Sequence, residues 1–496
     1  MGDEVTTTHG RVRGSVEDGL AVFRGIPFAA PPVGARRFAA PQAPEPWDVL
    51  DATTFGPVPP HSPPPGGADP AAAAPGADPD DPRGWLTANV WTPGTTGRRP
   101  VMVWIYGGAY RGGSSAEPAY DGAVLAGEGD VVVVTFNHRV GPEGYGQIAG
   151  APANRGLLDQ VAALTWVRDN AAAFGGDPAE VTVFGESAGA GAVAALLAMP
   201  RAAGLFRRAI AQSVPGTFFS ADLAADVMTT IAARLGRRAT VEGLREVAPD
   251  ALVAAGDAVV MREQRDRWGV LALTPTPYSP VVDGDVLPAT PWRALRDGAS
   301  RDVDLIVGHN RDEYRLFLVL GALLGTITDA TATRTLEAFA PDAAAYRAAH
   351  PDASPERLFE LVQSDWLFRM PSLHLAREHR GRSFLYELTA EAPAQGGVLG
   401  ACHGLDVPLV FGSRSGTLTR ILLGSGPTDE LREVSAAMRA AWTAFARTGD
   451  PGWEPYDEAG RSTWVIDGRP AVRPYPEETS AALWADHDFD PLPLLG

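Results

Sequence analysis

Residues 180–190 read EVTVFGESAGA, and this stretch decides the fold. Its first five residues form a β-branched, apolar run of strand length. Residues 190–199 are rich in alanine and leucine, as a helix requires. Between the two stands Gly185-Glu186-Ser187-Ala188-Gly189. A Gly-x-Ser-x-Gly pattern between strand and helix predicts a sharp turn that lifts the serine hydroxyl above the sheet. Glycines leave room for that turn, and the following helix aims its dipole and free N–H groups at the serine. Without those flanks the same five residues would be an ordinary turn with an N-capping serine.

The alternation continues in both directions. Residues 101–106 (VMVWIY) and 131–136 (VVVVTF) are near-continuous apolar runs, which suits strands buried on both faces of a parallel sheet. Residues 156–174 place Leu157, Val161, Leu164, Val167, Ala171 and Phe174 at steps of three and four, one helical stripe. Gly175-Gly176 and the pair Asp177-Pro178 are expected to end that helix in a turn. Residues 86–91, 303–307 and 383–388 are further strand candidates. The pattern predicts an α/β fold, a large and mostly parallel central sheet flanked by helices, with residues 1–496 as one domain. Two segments stand apart. Residues 57–82 hold ten prolines and almost nothing bulky, which predicts a Pro/Ala/Gly-rich surface loop. Residues 220–270 read as all helix and are expected to cap the sheet near the site.

Composition removes several classes of function. Of 496 residues 45% are hydrophobic and 21% charged, enough for a large core and too apolar for global disorder. Sixty acidic residues against 42 basic ones leave a net charge of −18, which disfavours nucleic acid and anionic membranes as partners. All 42 basic residues are arginine, so Schiff-base chemistry, a P-loop lysine and a Ser–Lys dyad are impossible. The single cysteine, Cys402, allows neither an intrachain disulfide nor a cysteine-based zinc site. Nine histidines show no zinc-binding spacing, and neither metal nor cofactor is expected. The opening residues carry no apolar secretory segment, and the longest apolar run, residues 317–324, is far too short to span a bilayer. A monomer in the cytoplasm is the expectation.

A serine at its free pKa is a weak nucleophile and needs a base, which in turn needs an orienting carboxylate. Downstream of Ser187 lie His309, His350, His374, His379, His403 and His487. His350, His374 and His379 fall in Arg- and Ala-rich helical sequence and read as exposed. His487 lies in an acidic tail. His403 sits in the small-residue loop Gly400-Ala401-Cys402-His403-Gly404 and is the best candidate. His309 is its rival, but it would precede any later acid, against the order Ser, acid, His. The acid is one of the adjacent pair Asp312-Glu313, between which spacing does not choose. An acyl-transfer intermediate also needs preorganised donors for its oxyanion. Tyr106-Gly107-Gly108-Ala109 directly after a strand supplies small residues with exposed N–H groups, and Gly108, Ala109 and Ala188 would form a hole of three donors.

With these motifs in place, the sequence resembles the type-B carboxylesterases, the α/β-hydrolase branch that includes cholinesterases and bacterial para-nitrobenzyl esterases. The resemblance runs over nearly the whole chain. It starts at Phe23-Arg24-Gly25-Ile26-Pro27-Phe28-Ala29 and is most specific from Asn154 to Ala190. It continues through Pro280-Val281-Val282-Asp283-Gly284, Gly308-x-Asn310-x-Asp312-Glu313, Cys402-His403-Gly404 and Phe445-Ala446-Arg447-Thr448-Gly449. It implies an α/β-hydrolase fold, a serine carboxylesterase, Glu313 rather than Asp312 as the acid, and His403 as the base. It also implies that Gly108, Ala109 and Ala188 form the oxyanion hole. Gly107, Glu186 and Ser213 are expected to back these groups, and Phe218, Phe219 and Trp268 to wall a substrate pocket.

Two departures matter. The family's frequent His-Gly-Gly-Gly is Tyr106-Gly107-Gly108-Ala109 here, and the loop cysteine of secreted relatives is gone. The expected substrates are small-molecule esters, short-to-medium or aromatic. The alternatives are bulky esters, such as aromatic polyester fragments or polyester toxins, and a non-catalytic cholinesterase-like binding protein. With a neutral histidine as base, activity should rise with pH through an apparent pKa of roughly 6–7.5.

Overall fold

Seven strands lie parallel at the centre of the main sheet of the computed structural model, which describes residues 3–62 and 83–496. Their order is Ser462–Ile466, Ser383–Leu388, Asp304–Asn310, Arg208–Gln212, Gly176–Glu186, Arg99–Ile105 and Val132–Phe136. Antiparallel strands extend both edges: Ala471–Pro474 on one side, then Thr87–Thr92, Leu20–Pro27 and Ser15–Glu17 on the other. A small sheet of Glu4–Thr7, Gly10–Arg13 and Val49–Asp51 packs beside them.

The apolar runs are buried on both faces because successive side chains point to opposite sides of a strand. Val101, Val103 and Ile105 enter one core, and Met102, Trp104 and Tyr106 enter the other. Ala209 and Ala211 likewise part from Ile210. Helices Arg155–Asn170 and Ala188–Ala198 cover the first face, and Asp429–Thr448 the second. The fold is the α/β architecture read from the alternation.

Local expectations needed correction in two places, the Asp177-Pro178 turn and the exposure of His374 and His379. Asp177 and Pro178 do not form a turn but lie in the strand Gly176–Glu186, because the helix already ends at Gly175, where φ is +75°. Residues 220–270 hold the helices Ala221–Arg234, Val241–Leu244, Pro249–Asp257 and Arg265–Trp268, in keeping with the helical reading. A short parallel pair, Phe219–Ser220 with Val281–Val282, closes a longer stretch that contains this segment. His374 and His379 are buried rather than exposed, since the helix Met370–Glu378 packs against the strand Asp304–Asn310. Of the proline-rich stretch 57–82, residues 63–82 lie outside the described residues. No described helix is long and apolar enough to cross a membrane.

Candidate active site

The carboxyl ends of adjacent parallel strands converge on Ser187. Register places Ile105 beside Gly185, Glu186 beside Gln212, and Gln212 beside Gly308, so the segments that follow these strands emerge along one sheet edge. Ser187 has φ +57° and ψ −125°, a conformation that costs a non-glycine residue about 1–3 kcal/mol. Its surroundings hold it there. The Ser187 N–H donates to the Gln212 carbonyl at 2.9 Å, and its own carbonyl accepts from Gly191 N–H at 2.9 Å. The flanking glycines are required by close approach: a Cβ at Gly185 would sit 2.8 Å from the Ile105 carbonyl oxygen, and one at Gly189 only 2.0 Å from it. The helix can thus press onto the neighbouring strand, leaving Ser187 half-buried between buried neighbours.

His403 arrives on the loop after strand Ser383–Leu388. Its Nδ1 lies 2.6 Å from Glu313 Oε2, and its backbone N–H donates to the Glu313 carbonyl at 3.3 Å. Glu313 is fully buried, and its other oxygen accepts from Ser213 Oγ at 2.5 Å and Asn310 N–H at 2.8 Å. Asn310 also clamps the histidine loop by donating Nδ2–H to the Cys402 carbonyl at 2.7 Å. Asp312, the neighbouring carboxylate, is taken up elsewhere. It pairs with Arg311 at 2.8 Å and Arg357 at 3.4 Å, and it accepts from Ala401 N–H. Geometry separates two acids that spacing could not. The rival His309 is buried, with Nε2 2.9 Å from Tyr475 Oη, and burial pulls it down to about 3.

Three carboxylates crowd this one imidazole. Besides Glu313, Glu186 Oε1 stands 3.1 Å from His403 Nε2, and buried Asp406 accepts from Gln212 Nε2 at 2.8 Å and Tyr386 Oη at 2.9 Å. Burial alone would lower the His403 pKa, but the charges of Glu186 and Glu313, the Glu313 hydrogen bond and Asp406 together raise it to about 9. Glu186 is in turn pushed up to about 8, chiefly by its own burial, against the lowering effect of His403. Asp406 is also raised, first by burial. The apparent pKa of roughly 6–7.5 expected for an ordinary histidine base is therefore too low for this setting.

The glycine-rich turn lies against Ser187. A Cβ at Gly107 would meet the Glu186 backbone and carboxylate oxygens at 2.9 Å and the Ser187 Cβ at 3.1 Å. Gly108 has φ +119°, and Ala109 and Tyr110 follow at +55° and +57°. The Gly108 carbonyl accepts from Arg111 and Gly112 N–H, both at 3.1 Å, so the same peptide plane turns the Ala109 N–H the opposite way. Among the described residues no hydrogen bond takes up the N–H of Gly108 or Ala109. Ala188 opens the helix Ala188–Ala198, and its N–H has no carbonyl one turn back within that helix.

The structure brings together Ser187, Glu186, His403, Glu313, Ser213 and the turn 107–109. It brings none of Phe218, Phe219 and Trp268 into ring or hydrogen-bond contact with Ser187, Glu313 or His403. Phe218 packs edge-on to Trp292, and Trp268 donates to Asp226 at 2.7 Å. All three rings are buried. The aromatic partners of His403 are others: Phe368 stacks on it at 4.1 Å and Phe317 lies at 5.4 Å. Phe368 sits on a π-helical turn, Asp365–Arg369, an irregularity often found at functional sites. Asp406 and Gln212 also escaped the reading of the sequence, although Asp406 lies three residues after His403 and Gln212 just before Ser213.

Comparison with known proteins agrees over the whole length. The profile of the carboxylesterase family matches residues 2–484. A para-nitrobenzyl esterase of Bacillus subtilis (strain 168) is 36% identical over 495 residues, covering 95% of this chain and 96% of its own. A phenmedipham hydrolase of Pseudarthrobacter oxydans is 35% identical, covering 90% of each chain. The crystal structure of a carboxylesterase from Geobacillus stearothermophilus superposes with a TM-score of 0.83 at 34% identity, over 97% of this chain and 99% of that one.

Proposed function

Since the chain belongs to the carboxylesterase family and is a carboxylic-ester hydrolase, we propose that Ser187 is its nucleophile, His403 its general base and Glu313 the carboxylate that orients the base. The observation that carries this reading is the coincidence, at one sheet edge, of the strained Ser187 turn and an imidazole held by Glu313 at 2.6 Å. Ser187 Oγ attacks the ester carbonyl while His403 Nε2 takes its proton. Glu313 fixes the tautomer that leaves Nε2 free and stabilises the imidazolium that forms. Negative charge develops on the former carbonyl oxygen, where the N–H groups of Gly108, Ala109 and Ala188 receive it. Collapse expels the alcohol with the proton from His403. Water, deprotonated by the same imidazole, then releases the acid and restores Ser187. No step calls on a metal or cofactor.

The substrates proposed are small esters with short-to-medium or aromatic groups. The rings of Phe317 and Phe368 beside His403 offer apolar surface to the departing group. A monomer in a reducing compartment suits a chain whose single cysteine, Cys402, is buried and unpaired. The test is Ser187→Ala assayed on a chromogenic acetate. Turnover should fall by about five to six orders of magnitude with the melting temperature unchanged. A variant that keeps a tenth of the wild-type rate removes Ser187 as nucleophile.

A further inference from the structure

The oxyanion turn is tied to the helical segment between the Phe219–Ser220 and Val281–Val282 pair by hydrogen bonds that the reaction itself does not require. Thr276 Oγ1 donates to the Ala109 carbonyl at 2.8 Å. The same oxygen accepts from Tyr278 N–H at 3.2 Å. A threonine hydroxyl has a single proton. With its lone pairs facing the Tyr278 N–H, that proton is directed at Ala109. The Thr276 backbone is itself held from behind. The single Thr274 hydroxyl proton is shared between the Leu271 carbonyl, with Oγ1 at 2.9 Å, and the Thr276 carbonyl at 3.1 Å. Tyr278 packs onto the helix Pro249–Asp257 so closely that a Cβ at Gly256 would lie 2.1 Å from its hydroxyl. The last residue of that helix, Asp257, makes a second tie to the same turn, accepting from Arg111 Nη2 at 2.7 Å and from Ser62 Oγ at 2.6 Å.

We infer that Thr276 is a positioning residue for the oxyanion hole, holding Ala109 in the left-handed conformation that aims its N–H at the reacting carbonyl. Two peptide planes meet at Ala109, and φ +55° is unfavourable for a residue with a side chain, so both planes must be held to keep it there. The plane before it is fixed from within the turn, by Arg111 and Gly112 N–H on the Gly108 carbonyl. The plane after it is fixed from outside, by Thr276. The helical segment thereby supports the donors that receive the developing charge. This inference rests on the assignment of Ala109 as an oxyanion donor and of Ser187 as nucleophile.

The test separates alignment of the hole from substrate binding. Thr276→Val keeps the shape of the side chain and removes the proton. A hole donor is worth about 10²–10³ in kcat, and misaligning one without removing it should lower kcat about tenfold. KM for a simple acetate should stay within about twofold, because the ground-state carbonyl makes little use of the hole. Affinity for a trifluoromethyl ketone, whose hemiketal with Ser187 carries the oxyanion, should fall by the same factor as kcat. Thr276→Ser, which restores the hydroxyl, should restore both. Active-site titration counts only folded enzyme, so partial unfolding of a variant does not enter kcat. Unchanged kcat and unchanged ketone affinity in Thr276→Val overturn the inference, as does a loss confined to KM. Ser187→Ala, run in parallel, keeps the two readings apart. Turnover retained there removes the nucleophile assignment and this inference with it, whereas a dead Ser187→Ala beside a wild-type-like Thr276→Val removes the inference alone.

Discussion

Arg139 and Asp159 are buried as deeply as His403 and Glu186, yet the two groups are built on opposite rules. Around Arg139 every side-chain nitrogen has a partner. Nε and Nη2 reach the two Asp159 oxygens at 2.8 and 2.7 Å, Nη1 reaches the Ala39 carbonyl at 2.8 Å, and the Arg139 N–H adds a further bond to Asp159 at 3.0 Å. Around His403, three buried carboxylates share one titratable cation, and Glu186 Oε1 and Asp406 Oδ1 have no hydrogen-bond partner among the described residues. A matched pair satisfies its own charges and serves the fold. An unmatched cluster raises the proton affinity of whatever it surrounds, and at this sheet edge it surrounds the imidazole proposed as the base. The difference between structural and catalytic burial of charge thus lies in stoichiometry rather than in depth.

The sharpest way to break the comparison is to neutralise one carboxylate at a time within the unmatched cluster. Glu313→Gln should lower kcat by about four orders of magnitude, since an amide there stabilises the wrong tautomer and no imidazolium. Asp312→Asn, one residue away, should change kcat far less, because Asp312 faces Arg311 and Arg357. Steady-state kinetics on an acetate ranks the two, and the reverse ranking would exchange their roles. The matched pair should answer differently. Asp159→Ala leaves the Arg139 charge buried without its partner and should cost about 3–5 kcal/mol of folding free energy, read from urea unfolding. Turnover per folded molecule should not change. The double replacement Arg139→Met with Asp159→Leu should recover much of that loss, as apolar substitutes for a buried pair often do. A drop in turnover by Asp159→Ala would mean that the two clusters are not separate.

The same contrast explains what was legible in the sequence. Strands and helices follow from local periodicity, so 383–388 and the alternation through 101–106 could be read directly. Ser187 was legible because its turn needs glycines at fixed offsets. Gly185 and Gly189 are glycines for a reason visible only in space, the closeness of the Ile105 carbonyl, but the demand is written locally. His374 and His379 misled because tertiary packing overrides a polar local context. Asp406, Phe368 and Thr276 were hidden for a related cause. Phe368 and Thr276 act on residues reached through folding, and Asp406, though three residues from His403, is held there by Gln212 and Tyr386 from distant parts of the chain. The choice of Glu313 over Asp312 came from family resemblance and not from spacing, since adjacent acids differ only in where the backbone points them.

The smallest expected effect is also the most direct reading of the unmatched cluster, a shift of the pH profile. His403 must be neutral to accept the serine proton, and its carboxylate neighbours hold it protonated up to about 9. Because this pKa is raised, the active neutral form is gained as pH rises through it, so kcat/KM should climb on the alkaline side of neutrality. Below about 8 Glu186 is itself protonated, and above that its charge appears while His403 still holds its proton, which stretches the climb. Glu186→Gln keeps the shape beside Nε2 and deletes that charge. The rising limb should then move to lower pH, with the plateau rate changed much less than by Glu313→Gln. The measurement is kcat/KM from about pH 5 to 10 for both enzymes. A wild-type limb at the ordinary histidine value, or one that Glu186→Gln leaves in place, would show that the carboxylates around His403 do not set its proton affinity.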